Sequence, residues 1–427
     1  MTEKPGISRA SMAVAALSTV VEWYDFTLYL YLATVLSRVF FGGGDTSLAL
    51  ALGGFAVAYL MRPLGAAVLG HVGDRYGRRR MMLLSMALMT AAMLATALLP
   101  THAQIGPAAA WLLLLLRCVM GFSVGGEYTG VVAYLLEGAR PERRGLVTSF
   151  AAAASEVGAL LAAAVAALTV SAMSPAALDS WGWRIPFLLG AALAATVWIA
   201  RSLMQESPDF ERQEARGTVP HNPLRHALTH HRAAIARGFA ISALGSITYY
   251  VGITYVPAFL AGASPMSEAE ALWLSTAAAL VVILVTPFTG LLSDRYGRKP
   301  VLLAVCLSAA VLPITLFSLM AGASHGWATL GALVLAAVGG AMSAVGAVAT
   351  AEQFPGEGRL SGLALGATTA TAIFGGLAPY LAQELMGRTG SPLVPGIMIA
   401  AVAAAVLPVF LAMPESRPAP RRPGRSP

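Results

Sequence analysis

Apolar residues run through the chain in long blocks separated by short polar loops. The blocks lie near 11–41, 48–70, 81–100, 107–136, 146–172 and 184–203, then near 238–262, 269–292, 300–321, 327–349, 359–385 and 393–413. A helix needs roughly 20 apolar residues to cross a bilayer, so the pattern predicts twelve transmembrane helices. A polar stretch rich in Arg and His, Gln205 to Arg237, parts the sixth block from the seventh. The expectation is an all-α membrane protein in four pieces. Residues 1–204 form an N-terminal six-helix half, 205–237 a cytoplasmic linker, 238–414 a C-terminal six-helix half and 415–427 a short cytoplasmic tail.

Composition sharpens this picture. The chain is 57% hydrophobic and 11% charged, whereas soluble domains carry roughly 25% charged residues. An ordinary soluble domain is excluded. The net charge of +7 would suit nucleic acid, but its placement argues otherwise. With the N-terminus in the cytoplasm, all but Arg38, Arg62, Arg117, Arg184 and Arg388 of the 28 basic residues fall in cytoplasmic segments. That is the topology signal of a multi-pass protein with both termini inside, and no nucleic-acid partner is needed. Cys118 and Cys306 sit in apolar runs and read as small buried hydrophobes. No cleavable signal peptide is expected, because the first apolar run is too long and lacks a small-residue cleavage site.

An internal repeat follows. GHVGDRYGRRR at 70–80 recurs as GLLSDRYGRKP at 290–300, and Glu137 with Arg144 recurs more faintly as Glu352 with Arg359. Each copy follows the second or the fourth helix of its half. Two related six-helix halves are a transporter architecture, with a substrate site at their interface near mid-membrane.

The loop Gly-x-x-x-Asp-Arg-x-Gly-Arg-Arg resembles the signature of the major facilitator superfamily. With EWYDF in the first helix, MRPLGAAVLG (61–70), GFSVGGEYTG (121–130), WGWRIPF (181–187), ESPDF (206–210) and ATAIFGGLAP (370–379), the whole chain resembles the metabolite:proton symporter family. The resemblance implies the major facilitator fold of two pseudo-symmetric halves. It also implies proton-coupled import of a small organic metabolite through the plasma membrane (the bacterial inner membrane), by a monomer without cofactor. A carboxylate such as citrate or another di- or tricarboxylate is the first expectation. A zwitterion such as proline or betaine is the alternative, and proton-coupled export is a further one. GGEYTG resembles the proline/betaine carriers, whereas Arg117 and ATAIFGGLAP resemble the citrate type. Two positions depart from the family: Ala151 stands where relatives often carry glutamine, and Glu156 where an uncharged polar residue is more usual.

Candidate chemistry sits in the predicted spans. Glu22 and Asp25 are three residues apart and share a helix face, which Tyr29 continues. A charge at the bilayer centre costs about 2.5–3.5 kcal/mol, so two acids here call for a role. Proton coupling by Asp25, Glu22 and Glu127 is expected. A helix-positioning salt bridge is the other reading of Asp25. Arg117 is the candidate for gripping a substrate carboxylate, because guanidinium binds carboxylates in bidentate fashion. Arg62 is read either as a structural partner of a nearby acid or as a second substrate contact. Glu156, Tyr29, Tyr249 and Tyr250 complete the expected cavity. Asp74, Arg75, Arg78, Asp294, Arg295 and Arg298 are expected to latch the cytoplasmic side, the aspartates meeting an arginine or a helix N-terminus. An ATP-driven pump is disfavoured, since neither Lys4 nor Lys299 follows a glycine as a P-loop requires. No metal or nucleophile cluster suggests an enzyme, and a non-transporting sensor would have little use for both loops and all the buried charges.

Overall fold

A computed structural model describes residues 7–43, 47–264, 266, 268–322 and 324–417, and every regular element among them is helical. Twelve long segments succeed one another. The N-terminal half holds α1 (Arg9–Tyr31, continuing as Ala33–Phe41), α2 (Ser47–Tyr76), α3 (Arg78–Leu98), α4 (Ala108–Gly138), α5 (Arg144–Ala172) and α6 (Arg184–Ser202). The C-terminal half holds α7 (Arg232–Tyr249, continuing to Ala263), α8 (Glu268–Tyr296), α9 (Arg298–Met320), α10 (His325–Glu352), α11 (Arg359–Thr389) and α12 (Val394–Ala412). Two short helices, Pro208–Arg216 and Pro223–His230, fill the linker. The seventh helix starts at Arg232, inside the stretch expected to be linker.

Ten of the described helices are long and apolar enough to cross a membrane, against the twelve expected from the sequence. The two that fall short are α1 and α7. Glu22 and Asp25 interrupt the apolar run of α1, and α7 carries Arg232, Arg237, Ser246, Thr248, Tyr249 and Tyr250 and passes into a π-helical stretch at Tyr250–Thr254. Helices of this kind, polar or discontinuous at membrane depth, are the ones that build transporter sites. A second π-helical pair, Ala364–Thr368 and Ala372–Leu377, lies in α11. Such bulges often mark functional positions.

The repeated loops make the sharpest turns. A single residue joins α2 to α3 and α8 to α9: Gly77 at φ 108° and Gly297 at φ 107°. Only glycine adopts that backbone without strain. Small residues also set the packing of α2 on α4. A Cβ on Gly65, Gly121 or Gly125 would collide with the backbone of the facing helix, which is how membrane helices approach closely.

Each half has its own apolar core, one around Tyr24, Met93, Trp183 and Phe187, the other around Leu244, Phe259, Phe317 and Phe410. A third cluster joins Leu69, Met81 and Tyr134 of the first half to Phe354 and Leu360 of the second. It seals the face that carries the repeated loops and leaves a cavity above it.

Candidate functional site

The cavity between the halves has a volume of about 190 Å³. Its N-terminal wall comes from Glu22 and Trp23 of α1, Tyr59 and Arg62 of α2, Tyr128 of α4 and Glu156 of α5. Opposite stand Ser246, Tyr249 and Tyr250 of α7 and Thr371 of α11. Arg62 is held by rings rather than acids: its guanidinium carbon lies 4.7 Å from the Phe26 centroid and 4.6 Å from that of Tyr59. No carboxylate pairs with it among the described residues. The Oε2 of Glu22 is buried and has no hydrogen-bond partner among the described residues.

Tyrosines bridge the halves. Tyr59 donates to the Tyr250 hydroxyl at 3.0 Å, and Tyr249 donates to Glu156 Oε1 at 2.5 Å. The Tyr59–Tyr250 contact lies on the side of the cavity away from the loops. Beyond it is a recess of about 30 Å³ lined by Glu22, Asp25, Arg62 and Arg117. There Asp25 Oδ2 accepts from Arg117 Nη1 at 2.7 Å. Arg117 also donates to Thr96 at 3.3 Å, between the rings of Tyr29 and Phe187.

The structure therefore sorts the sequence candidates. Glu22, Arg62, Glu156, Tyr249 and Tyr250 meet on the cavity wall. Asp25 and Arg117 pair with each other in the recess, and Tyr29 packs beneath Arg117 with its hydroxyl on the Ala51 carbonyl at 2.9 Å. Glu127 lies elsewhere: it is fully buried and ion-paired to Arg201, with Ser18 donating to it at 3.2 Å and Ser85 at 2.5 Å. Arg201, placed outside the membrane by the sequence pattern, is 1% exposed inside the bundle. The apolar run of α6 gave no sign of a partner 74 residues upstream. Removing one member of a buried pair costs about 3–5 kcal/mol. Arg201→Ala should accordingly lower the melting temperature in detergent sharply, and adding Glu127→Gln should recover part of the loss. Independent, additive losses would show that the pair does not exist.

The repeated loops latch the opposite halves together. Asp74 accepts from the backbone N–H groups of Leu360 at 3.2 Å and Ser361 at 2.8 Å, in the first turn of α11. Asp294 accepts from Gly145 at 2.8 Å and Leu146 at 2.9 Å, in the first turn of α5. Both contacts set a carboxylate on a helix N-terminus. Arg78 joins Asp74 at 3.3 Å and Glu137 at 3.2 Å, while Arg298 joins Asp294 at 2.8 Å and Glu352 at 3.1 Å. Across the halves, Arg359 reaches Glu137 at 2.5 Å and Arg144 reaches Glu352 at 4.0 Å. Arg75 and Arg295 stand outside this network. Arg75 donates to the Pro220 carbonyl at 3.3 Å, and Arg295 is exposed over the Tyr296 ring.

Sequence reading missed one layer of the latch. Glu206 accepts from the Arg78 N–H at 2.9 Å, and Glu415 from the Arg298 N–H at 2.8 Å. The next residue, Ser207 or Ser416, donates to Glu137 or Glu352. The signal was present as a Glu-Ser pair just after each half. Glu415 and Ser416, which the sequence pattern assigned to a short cytoplasmic tail, thus belong to the latch.

The latch needs close backbone approach. A Cβ on Gly290 would meet the Gly145 carbonyl oxygen at 2.6 Å. Gly290→Leu should hold the loop face open. A cysteine placed at Thr371, with Cys118 and Cys306 replaced, should then react faster with a thiol reagent applied from the loop side. Unchanged reactivity would mean that this contact does not hold the face shut.

Comparison with known proteins fits this architecture. Residues 11–219 match the family model for sugar (and other) transporters, and residues 238–427 that of the Major Facilitator Superfamily. The chain is 33% identical over 424 residues to the ectoine/proline transporter ProP of Corynebacterium glutamicum, covering 96% of this chain and 84% of that protein. It is 36% identical over 375 residues to the alpha-ketoglutarate permease of Escherichia coli, covering 87% and 86%. It is 32% identical over 399 residues to a citrate-proton symporter of Salmonella typhi, covering 92% of each. The chain belongs to the metabolite:proton symporter family of the major facilitator superfamily. This major facilitator protein is a multi-pass transporter and not an enzyme. Its fold matches the proton:xylose symporter XylE bound to 6-bromo-6-deoxy-D-glucose, with a TM-score of 0.80 at 19% identity over 96% of each chain. Against the inward-open conformation of XylE the TM-score is 0.65 at 22% identity, over 95% of this chain and 96% of that one.

Proposed function

We propose that this transporter imports a small carboxylate-bearing metabolite together with protons, by alternating access in the bacterial inner membrane. Both termini and the latched loops face the cytoplasm, and one chain acts alone. The observation that carries this reading is Arg62, a guanidinium on the cavity wall clamped by Phe26 and Tyr59 and in no ion pair with a carboxylate among the described residues. It suits a substrate carboxylate. Relatives named for citrate, alpha-ketoglutarate and proline or betaine share that one group.

Coupling follows from charge. Glu22, Asp25, Arg62 and Arg117 line one recess, and their charges cancel when both acids are ionised. Adding one proton leaves a net positive charge beside the cavity, which favours an anionic group there. A ligand moves an equilibrium only by its differential affinity for the states. Proton and carboxylate therefore favour each other's binding, and the latch opens with both aboard. A carboxylate at Arg62 is common to a di- or tricarboxylate and to a zwitterion such as proline or betaine, and the recess charges, which cancel, favour neither.

The test uses purified protein in vesicles. Uptake of labelled citrate, 2-oxoglutarate, proline and betaine is followed under an inward pH gradient, together with proton entry. At least one should accumulate with protons moving inward. Substrate leaving as protons enter would make the protein an exporter, and substrate movement without protons would remove the coupling.

A further inference from the structure

The cavity is not built for an anion alone. Its charged lining residues are Arg62, Glu22 and Glu156. Arg62 and Glu22 border the outer recess, whereas Glu156 does not. A row of rings separates the two ends: Arg62 lies over Tyr59, Tyr59 meets Tyr250 at 6.2 Å, Tyr250 meets Tyr249 at 5.4 Å, and Tyr249 reaches Glu156. Trp23 faces the same end, with its ring 5.5 Å from that of Tyr249 and its buried Nε1 without a hydrogen-bond partner among the described residues.

Glu156 is 4% exposed, and Tyr249 is its one hydrogen-bond partner among the described residues. No Lys, Arg or His lines this end of the cavity. An ionised carboxylate in such a place is costly unless a counter-charge arrives. Trp23, Tyr128 and Tyr249 present ring surfaces, which attract cations. A second substrate carboxylate at this end would instead face Glu156 as a like charge.

We infer that Glu156, with Trp23 and Tyr249, forms a subsite for the cationic end of the substrate, so that the transported molecule is a compact zwitterion held between Arg62 and Glu156. Glu156 is then the residue that sets specificity against di- and tricarboxylates. The inference rests on the placement of a substrate carboxylate at Arg62 proposed above.

Three competitors of one shape test both ideas separately. Glycine betaine carries both charges, 3,3-dimethylbutanoate lacks the cation, and choline lacks the carboxylate. Wild-type protein in vesicles should take up labelled glycine betaine or proline. It should be inhibited by unlabelled glycine betaine at least about tenfold better than by 3,3-dimethylbutanoate, a difference of roughly 1.4 kcal/mol. Glu156→Gln should erase that preference and Glu156→Asp should keep most of it, which separates charge recognition from folding. The inference is overturned if 3,3-dimethylbutanoate competes equally in wild type, if Glu156→Gln leaves the preference intact, or if wild type takes up citrate or 2-oxoglutarate and neither zwitterion. Choline competing as well as glycine betaine would instead overturn the carboxylate site at Arg62.

Discussion

Asp25→Asn protein should exchange substrate across vesicle membranes yet fail to concentrate it under an imposed pH gradient. Asp25 holds Arg117 at 2.7 Å in a buried pair, and its other oxygen has no hydrogen-bond partner among the described residues. Asparagine removes the charge and cannot exchange a carboxyl proton. The recess then carries a lasting net positive charge, as it would with a proton bound, so the substrate-favouring state persists. Arg117 keeps its contacts with Thr96 and with the rings of Tyr29 and Phe187, which limits the folding penalty. The effect on accumulation is large. One elementary charge moved inward gains about 2.3 kcal/mol per 100 mV, enough for a gradient on the order of fifty-fold at roughly 1.4 kcal/mol per tenfold. A carrier that cannot release its proton loses all of this. Two assays on the same vesicles decide the matter: uptake under a pH gradient, and counterflow without one. Accumulation by Asp25→Asn would move the proton to another group, with Glu22 next in line because its Oε2 faces no partner. Under the present assignment Glu22→Gln is the milder change.

Arg62→Lys should weaken substrate binding severely while leaving the fold intact. A hydrogen bond to a charged group is worth about 1.5–3 kcal/mol, which corresponds to a loss on the order of ten- to a hundredfold in apparent affinity. Lysine keeps the charge but lacks the planar fork and the broad ring contact. No ion pair is broken, because no acid holds Arg62 among the described residues. The half-saturation concentration of exchange reads the affinity, and the melting temperature in detergent reads the fold. An unchanged half-saturation would place the substrate carboxylate elsewhere, with Arg117 the nearest other guanidinium. Equal losses in affinity and melting temperature would make Arg62 a structural residue.

Much of this was legible in one dimension. Apolar blocks give helices because backbone polar groups in lipid must be satisfied within the segment. Arginine placement gives orientation, and the repeat at 70–80 and 290–300 marks two related halves. The latch aspartates were readable for the same reason: a carboxylate after the second helix of each half needs a cationic or helix N-terminal partner wherever it lands. Even the Glu-Ser pairs at 206–207 and 415–416 were visible as a repeat, although they were too short to weigh without their contacts.

Pairing was not legible, because it depends on which helix packs beside which. The spacing of Glu22 and Asp25 put both on one face of α1, and so it does. Tertiary packing then gave that face two neighbours, turning Glu22 to the cavity and Asp25 to Arg117, 92 residues away. Sequence singled out Arg117 as the substrate guanidinium and read Arg62 as structural or a second contact. The fold pairs Arg117 with an acid, and sets Arg62 against two rings with no ion-paired carboxylate among the described residues. Glu127, expected to take part in proton coupling, is ion-paired to Arg201, at the apolar end of α6, 74 residues downstream. Helical periodicity fixes the side on which a charge lies, since it is a property of a few consecutive residues. Whether that charge is neutralised or left to meet a substrate is decided by contacts across some tens to hundreds of residues, which only the packed bundle brings together.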